Sequence, residues 1–173
     1  SFAFYRAYHV KTRNLPSTLS SIGEGAFALT DRTLRMDENN EYFVFESGCL
    51  RGKDKKDLYF GNTKAVIHNT VNHILPYAFY GNTGLNSLIL PDSVETIGES
   101  AFAHSFLSSL VIPSSVRSMD SMAFAECKRL TDITYQGTKA EWNQIDFGDS
   151  VFSSIPAENV ICKDFVFDLI EEN

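Results

Sequence analysis

The sequence predicts a solenoid, a stack of short coils that all close in the same way. Three observations carry this. First, an Ala-Phe pair recurs, with its phenylalanine at Phe4, Phe27, Phe79, Phe102 and Phe124, in steps of 23, 52, 23 and 22 residues. The long step is one period of 23 plus 29 extra residues. Second, each pair ends a longer motif. It reads LILPDSVETIGESAF over Leu88–Phe102 and LVIPSSVRSMDSMAF over Leu110–Phe124, with shorter or worn copies over Leu15–Phe27 and Val66–Phe79. Third, the pair sets one small side chain beside one large one, which lets successive coils nest at a constant separation. A fixed period in the twenties marks a solenoid of leucine-rich type. The expected fold is a leucine-rich repeat solenoid of short parallel β-strands, turns and short helical segments, with an irregular β insertion and a C-terminal cap.

Residues 1–28 are expected to hold the first coils. Ala3-Phe4 sits one period before Ala26-Phe27, so the chain opens in mid-coil. A solenoid end needs a polar cap over its last apolar layer, and Ser-Phe-Ala-Phe-Tyr is not one. The expectation is a piece of a longer array, or an N-terminal face covered by a partner. In the first complete motif Leu15 ends a strand, and Pro16 stops the ladder because it has no N–H. Leu19 and Ile22 point inward, Gly23 turns the chain, and Ala26-Phe27 enter the core.

Residues 29–60 form the insertion. Leu34–Met36 reads as a strand, 37–41 as a polar break, Tyr42–Phe45 as a strand, Ser47-Gly48 as a turn, Cys49-Leu50 as extended, 53–57 as a charged turn and Leu58–Phe60 as a strand. Antiparallel strands with tight turns are implied. Roughly 30 residues are too few for a core of their own, so the segment should continue the solenoid. Regular coils then fill 61–135, with a worn consensus at first (His68 in place of Pro) and a strand at Leu130–Tyr135. There the period is expected to stop. Thr138-Lys-Ala-Glu141 reads as a capping box, whose Thr and Glu satisfy the first N–H groups of a helix. Ala140, Trp142 and Ile145 would give that helix an apolar side. Phe147 falls one period after Phe124, but no Ala precedes it, so it is not counted as a rung. Residues 136–173 are read as the C-terminal cap, with Val160–Cys162 its last strand. All of 1–173 is taken as a single domain.

The consensus Leu-x-x-Leu/Ile-x-Leu/Ile-Pro-x-x-Val-x-x-Ile-Gly-x-x-Ala-Phe resembles the BspA-like leucine-rich repeat family. The likeness covers 15–27, 66–79 and 85–129. It extends to Tyr42–Leu50, which looks like that family's irregular coil, and to Ile133–Ile145, similar to the segment that often ends such arrays. Met119 and Asp120 stand where the family has Ile and Gly. The resemblance implies a secreted or cell-surface protein, commonly of gut or oral bacteria and some protists, with adhesion and binding of host or partner proteins as known roles. The family has no catalytic residues to carry over.

Composition bounds the chemistry. The chain has 173 residues, 43% hydrophobic and 21% charged, in the range of folded domains. A formal charge of −7 and a pI near 5.0 argue against a nucleic-acid surface, which needs clustered Lys and Arg. No apolar run reaches the roughly 18 residues of a membrane span. Cys49, Cys127 and Cys162 show no metal-ligand spacing; they read as small buried thiols, with a Cys127–Cys162 bridge open if the last coil folds back. His9, His68, His73 and His104 fall at different repeat positions, so no register gathers them. The Asp37–Glu41 run lacks the Gly and Glu that a calcium loop places at its sixth and twelfth positions and reads as a solvated acidic loop. Neither a phosphate-binding glycine loop nor a Gly-x-Ser-x-Gly elbow occurs. No cofactor, metal or catalytic residue is expected.

What remains is surface. In each coil the leucines of Leu-x-x-Leu-x-Leu face the core and the residues between them face out. Stacking the copies gives two outward columns, Lys64, Ser87, Ser109, Asp132 and Val66, Ile89, Val111, Thr134. The functional expectation is a binding or adhesion module that recognises protein or glycan, possibly host-derived, through these columns. The alternative is a structural spacer, or an array that self-associates through the open N-terminal coil. Plain β-propensity on an exposed sheet also accounts for the second column.

Overall fold

The computed structural model describes residues 12–29 and 33–169; the Ala3-Phe4 rung and the open N-terminal end lie outside the described residues. The protein is a β-solenoid of about six stacked coils. Its strands are β1 (Thr12–Leu15), β2 (Thr33–Met36), β3 (Phe43–Glu46), β4 (Cys49–Gly52), β5 (Asp57–Gly61), β6 (His73–Ile74), β7 (Ser87–Ile89), β8 (Thr96–Ile97), β9 (Ser109–Ile112), β10 (Ser118–Met119), β11 (Asp132–Tyr135), β12 (Asp146–Phe147), β13 (Asn159–Ile161) and β14 (Val166–Asp168). One short helix, α1 (Lys139–Trp142), precedes β12.

Each regular coil touches the next along three ladders. The Leu-x-Leu segments form a five-stranded sheet in the order β14-β13-β11-β9-β7. Leu88, Leu110 and Ile133 are paired in one row, Ile89, Val111 and Thr134 in the next. The Val-x-x-Ile segments form a second parallel ladder of two-residue strands, in which His73, Thr96, Ser118 and Asp146 pair in sequence. The third ladder is the Ala-Phe rung. The N–H groups of Tyr77, Phe79 and Gly81 donate to the carbonyls of Glu99, Ala101 and Ala103, those of Ser100, Phe102 and His104 to Ser121, Ala123 and Ala125, and those of Met122, Phe124 and Glu126 to Asp149, Val151 and Ser153, all at 2.7–3.1 Å.

The phenylalanine rings stack in the same rhythm. Centroids of Phe79–Phe102, Phe102–Phe124 and Phe124–Phe152 lie 4.8, 5.0 and 5.5 Å apart, with interplanar angles of 10° or less. These separations match the about 4.8 Å between neighbouring strands, so ring stack and backbone ladder climb together. The rung needs an unusual backbone. The residue before each pair and the second residue after it have positive φ: Gly25 and Leu29, Tyr77 and Gly81, Ser100 and His104, Met122 and Glu126, Ser150 and Ser154. An L-residue in that region costs about 1–2 kcal/mol, and the three hydrogen bonds at each step offset it. Elsewhere crowding selects the residue. A Cβ on Gly98 would lie 2.6 Å from the Pro76 nitrogen of the coil below, which accounts for glycine after Ile97.

The period, expected to stop after Tyr135, runs for one more coil. β12 pairs with β10, β13 with β11, and Val151-Phe152 supplies a further rung, 28 residues after Phe124. The excess over 22 is taken up by α1. Its capping box is formed as the sequence implied, with Thr138 Oγ1 accepting from Glu141 N–H and Glu141 accepting from Thr138 N–H. Trp142 and Ile145 are buried, whereas Ala140 is exposed and adds nothing to the apolar side. Phe147 lies in β12, partly exposed, and is not a rung. Nor is Val160–Cys162 the last strand, because β14 folds back antiparallel onto β13 and closes the sheet with a reversed edge.

The insertion is a three-stranded antiparallel hairpin set, β3-β4-β5, and β5 rejoins the short-strand ladder through β6. Apolar side chains fall into two clusters. One runs from Cys49 and Leu58 to Leu169, and the other gathers Leu15, Phe27, Leu34, Phe43, Leu50 and Phe60. β4 sends Cys49 to the first cluster and Leu50 to the second, so the hairpin is a wall buried on both faces. Gly61 ends that wall against the outermost ring of the stack, where a Cβ would lie 2.0 Å from Phe79. Past the wall the rungs still meet directly, since Leu29 N–H donates to the Tyr80 carbonyl at 3.2 Å. The 37–41 break is less solvated than its composition implies. Asn40 is buried, donates to the carbonyls of Pro16, Ser17 and Leu19, and accepts from Tyr42 and Phe43 N–H, which joins the insertion to the first coil.

Two stability measurements check this account. Phe102 is fully buried between two rings. Phe102→Ala is expected to cost about 3–5 kcal/mol in chemical denaturation, and a loss under about 1 kcal/mol would contradict the rung packing. Met122 has φ 60° and an exposed side chain. Met122→Gly relieves about 1–2 kcal/mol of left-handed strain against about 0.5–1 kcal/mol of added chain entropy. The variant should therefore gain up to about 1 kcal/mol, and a clear loss would show that the rung is unstrained there.

Candidate functional site

The five-stranded sheet presents one face to the core and one outward. Alternation along each strand decides which residues do which. Leu88, Leu110, Ile133, Val160 and Phe167 are buried, and so are Leu90, Ile112 and Tyr135. The residues between them stand in two outward rows. The first is Ser87, Ser109, Asp132, Asn159 and Asp168, the second Ile89, Val111, Thr134, Ile161 and Val166.

The second row is β-branched throughout. Ile89, Ile161 and Val166 are 70%, 49% and 55% exposed, and Val111 and Thr134 are half-buried between their neighbours. At about 4.8 Å per strand the row is about 19 Å long. Phe165, 59% exposed, adjoins its β14 end. Two hollows flank the row on the side of the proline turns. One of about 630 Å³ is lined by Ile89, Pro91, Asp92, Ser93, Asn69 and Gln136, and one of about 460 Å³ by Thr134, Ser114, Cys162 and Lys163. Asp92 and Gln136 line both. The hydroxyls of Ser93 and Ser115 hold these turns to the coil below by donating to Val71 and Val94 carbonyls, each at 2.7 Å.

Six of the eight residues proposed from sequence, Ser87, Ile89, Ser109, Val111, Asp132 and Thr134, stand in these rows in the expected register. The other two do not. Lys64 is in a turn, its N–H bound to Asn62 Oδ1 at 2.8 Å, and Val66 N–H donates to the Ser47 carbonyl at 2.8 Å. Both are exposed. Neither lies in a strand. Ile161 and Val166 extend the apolar row by two strands that the sequence reading did not place there.

Other reactive side chains are occupied or sealed. Cys49, Cys127 and Cys162 are buried, and no Cys127–Cys162 bridge forms. Burial pushes the Cys49 thiol up to about 12 and raises that of Cys127. Arg51 is 1% exposed within the hairpin wall, paired with Glu46 and donating to Thr70 Oγ1 at 3.2 Å. His73 bonds Thr96 Oγ1 at 3.0 Å and His68 bonds Thr70 Oγ1 at 3.1 Å. Among the described residues no group of three or more His, Cys, Asp or Glu is placed to hold a metal, and no helix is long and apolar enough to cross a membrane. A further cavity, of about 750 Å³, lies at the end of the stack against Trp142, Phe147, Phe152 and Leu169.

A family model for the BspA type leucine rich repeat region matches residues 1–56 and 56–171 in six copies. The chain belongs to this family. No curated protein matches it. Among solved structures it is similar to the pneumococcal vaccine antigen PcpA, at 23% identity and a TM-score of 0.77, over 88% of this chain and 39% of that one. That likeness shows the same fold, and this chain spans well under half of PcpA's length. It also overlaps a leucine-rich repeat protein from Eubacterium ventriosum, at 16% identity, a TM-score of 0.44, and 84% and 59% coverage of the two chains. A third overlap is with a leucine rich cell surface protein from Faecalibacterium prausnitzii, at 18% identity, a TM-score of 0.37, and 84% and 65% coverage.

The buried thiols make a direct check. A thiol whose folded value is about 12 stays protonated past its ordinary value of 9.0, so raising the pH to that point should not open Cys49 to alkylation in the native protein. Mass spectrometry after iodoacetamide treatment should show labelling at Cys49 only when denaturant is present. Native labelling that rises with pH around 9.0 would place Cys49 at the surface.

Proposed function

We propose that this chain is a non-enzymatic binding or adhesion module of a secreted or cell-surface protein, and that it recognises protein or glycan through the outward face of the five-stranded sheet. The observation that carries the reading is the continuous exposed row Ile89–Val111–Thr134–Ile161–Val166, with the two hollows along its side. Contiguous exposed apolar surface on a soluble fold is a mark of an interaction site. Solenoids suit recognition of this kind because stacking offers a long, rigid, shallow surface. The family supports the reading too, and the similar PcpA is a pneumococcal vaccine antigen.

The test is a screen of immobilised chain against purified serum and extracellular-matrix proteins and a glycan array, repeated with Ile89→Asp/Ile161→Asp. These side chains are exposed, so the melting temperature should hold. Binding found with the native chain should weaken by about tenfold or more, about 1.4 kcal/mol. Equal binding by the variant would move the site off this face.

A further inference from the structure

Along the first outward row, the apolar row has a charged border of one sign. In the five strands of the sheet, SLI, SLVI, DITY, NVI and VFD, the charged residues are Asp132 and Asp168, with no Lys or Arg among them. Both stand exposed in the first outward row, which Ser87, Ser109 and Asn159 complete. Asp132 accepts from Thr131 Oγ1 at 2.6 Å, which holds a carboxylate oxygen beside the apolar row. Across the row, Asp92 stands in the wall common to both hollows. Lys163 lines the same hollow as Asp92 and Thr134, so that side is of mixed sign. Arg129 is drawn 4.1 Å over the Phe106 ring at the corner before β11, and Lys64 is in its turn outside the sheet. The whole chain carries a formal charge of −7.

From this we infer that the face takes a protein segment whose apolar ridge is bordered by lysine or arginine. The inference rests on the sheet face being the binding surface. The ridge would lie on Ile89, Val111, Ile161 and Val166, and its cations would reach Asp132 and Asp168 along the first outward row. Charge complementarity of this kind sets partner choice and the rate of encounter, and it is screened by salt. A protein segment is favoured over a glycan by the row itself. Four of its five side chains are aliphatic and tightly spaced, and the exposed Phe165 ring stands only at its β14 end.

The probe is a soluble synthetic peptide that alternates lysine with valine, compared with one that alternates glutamate with valine. Titration is followed by fluorescence anisotropy at low and high salt. The native chain should bind the lysine peptide at least about tenfold more tightly than the glutamate peptide, and the preference should shrink as salt rises. Asp132→Lys/Asp168→Lys should reverse the preference, and Asp132→Asn/Asp168→Asn should reduce it without reversal. Ile89→Asp/Ile161→Asp should weaken binding of the lysine peptide. Equal affinity for both peptides, no binding of either, or a preference that both Asp variants leave unchanged would overturn the cationic partner. So would a sheet-dependent glycan from the array whose binding ignores the charge reversal. In that last case, or if a screened protein still loses affinity with Ile89→Asp/Ile161→Asp, the sheet face survives as the binding surface and only the partner chemistry falls.

Discussion

Everything in this molecule depends on one shared rise. Backbone ladders fix the distance between coils at one strand spacing, and whatever fills the interior must repeat at that same distance. Phenylalanine lying flat does so, because stacked rings sit 4.8–5.5 Å apart. Alanine before it leaves room for the neighbouring chain to close in. The interior is thus a column rather than a cluster; the coil of Phe102 contributes to it that ring and the aliphatic side chains of Leu85, Leu88, Leu90, Val94, Ile97 and Leu107. The same rise, carried to the opposite surface, lines up the residues between the leucines. Order in the outward rows follows from order in the core, and the outward face is a by-product of packing before it is anything else.

That dependence explains what sequence could and could not reveal. The Ala-Phe beat was legible because Phe79, Phe102 and Phe124 have one job each and no substitute does it as well. The hairpin at 43–61 was legible because its strands are bounded by turn residues, and α1 because Thr138 and Glu141 cap each other. The rung at Phe152 was hidden, since α1 stretches the spacing and Val151 replaces alanine. The ladder β6-β8-β10-β12 was hidden as well: two residues per strand leave no alternation to read, although their stacking makes a complete second sheet. β14 carries no leucine beat, and its pairing is antiparallel, so nothing in the repeat announced it.

The surface was legible only in its middle. Ser87, Ile89, Ser109, Val111, Asp132 and Thr134 follow from register alone, because their coils have equal length. At one end the rows stop at β7, since Lys64 and Val66 lie outside any strand. At the other end Ile161 and Val166 come into line only after an insertion and a chain reversal. Asn40 shows the same limit at a single residue: in a run of acids and amides nothing marks the one side chain that is buried and joins two coils.

The hairpin wall has a mechanical meaning. In a stack of coils, cohesion passes from neighbour to neighbour, each interface carrying the whole of any load along the axis. Over most of this molecule an interface consists of three ladders and a ring-on-ring contact. At the wall it changes character, with the two apolar clusters facing opposite sides of β4 and β5, and with direct rung-to-rung bonding between Leu29 and Tyr80. Such a junction joins two separate apolar cores through a hairpin rather than through one continuous column of rings.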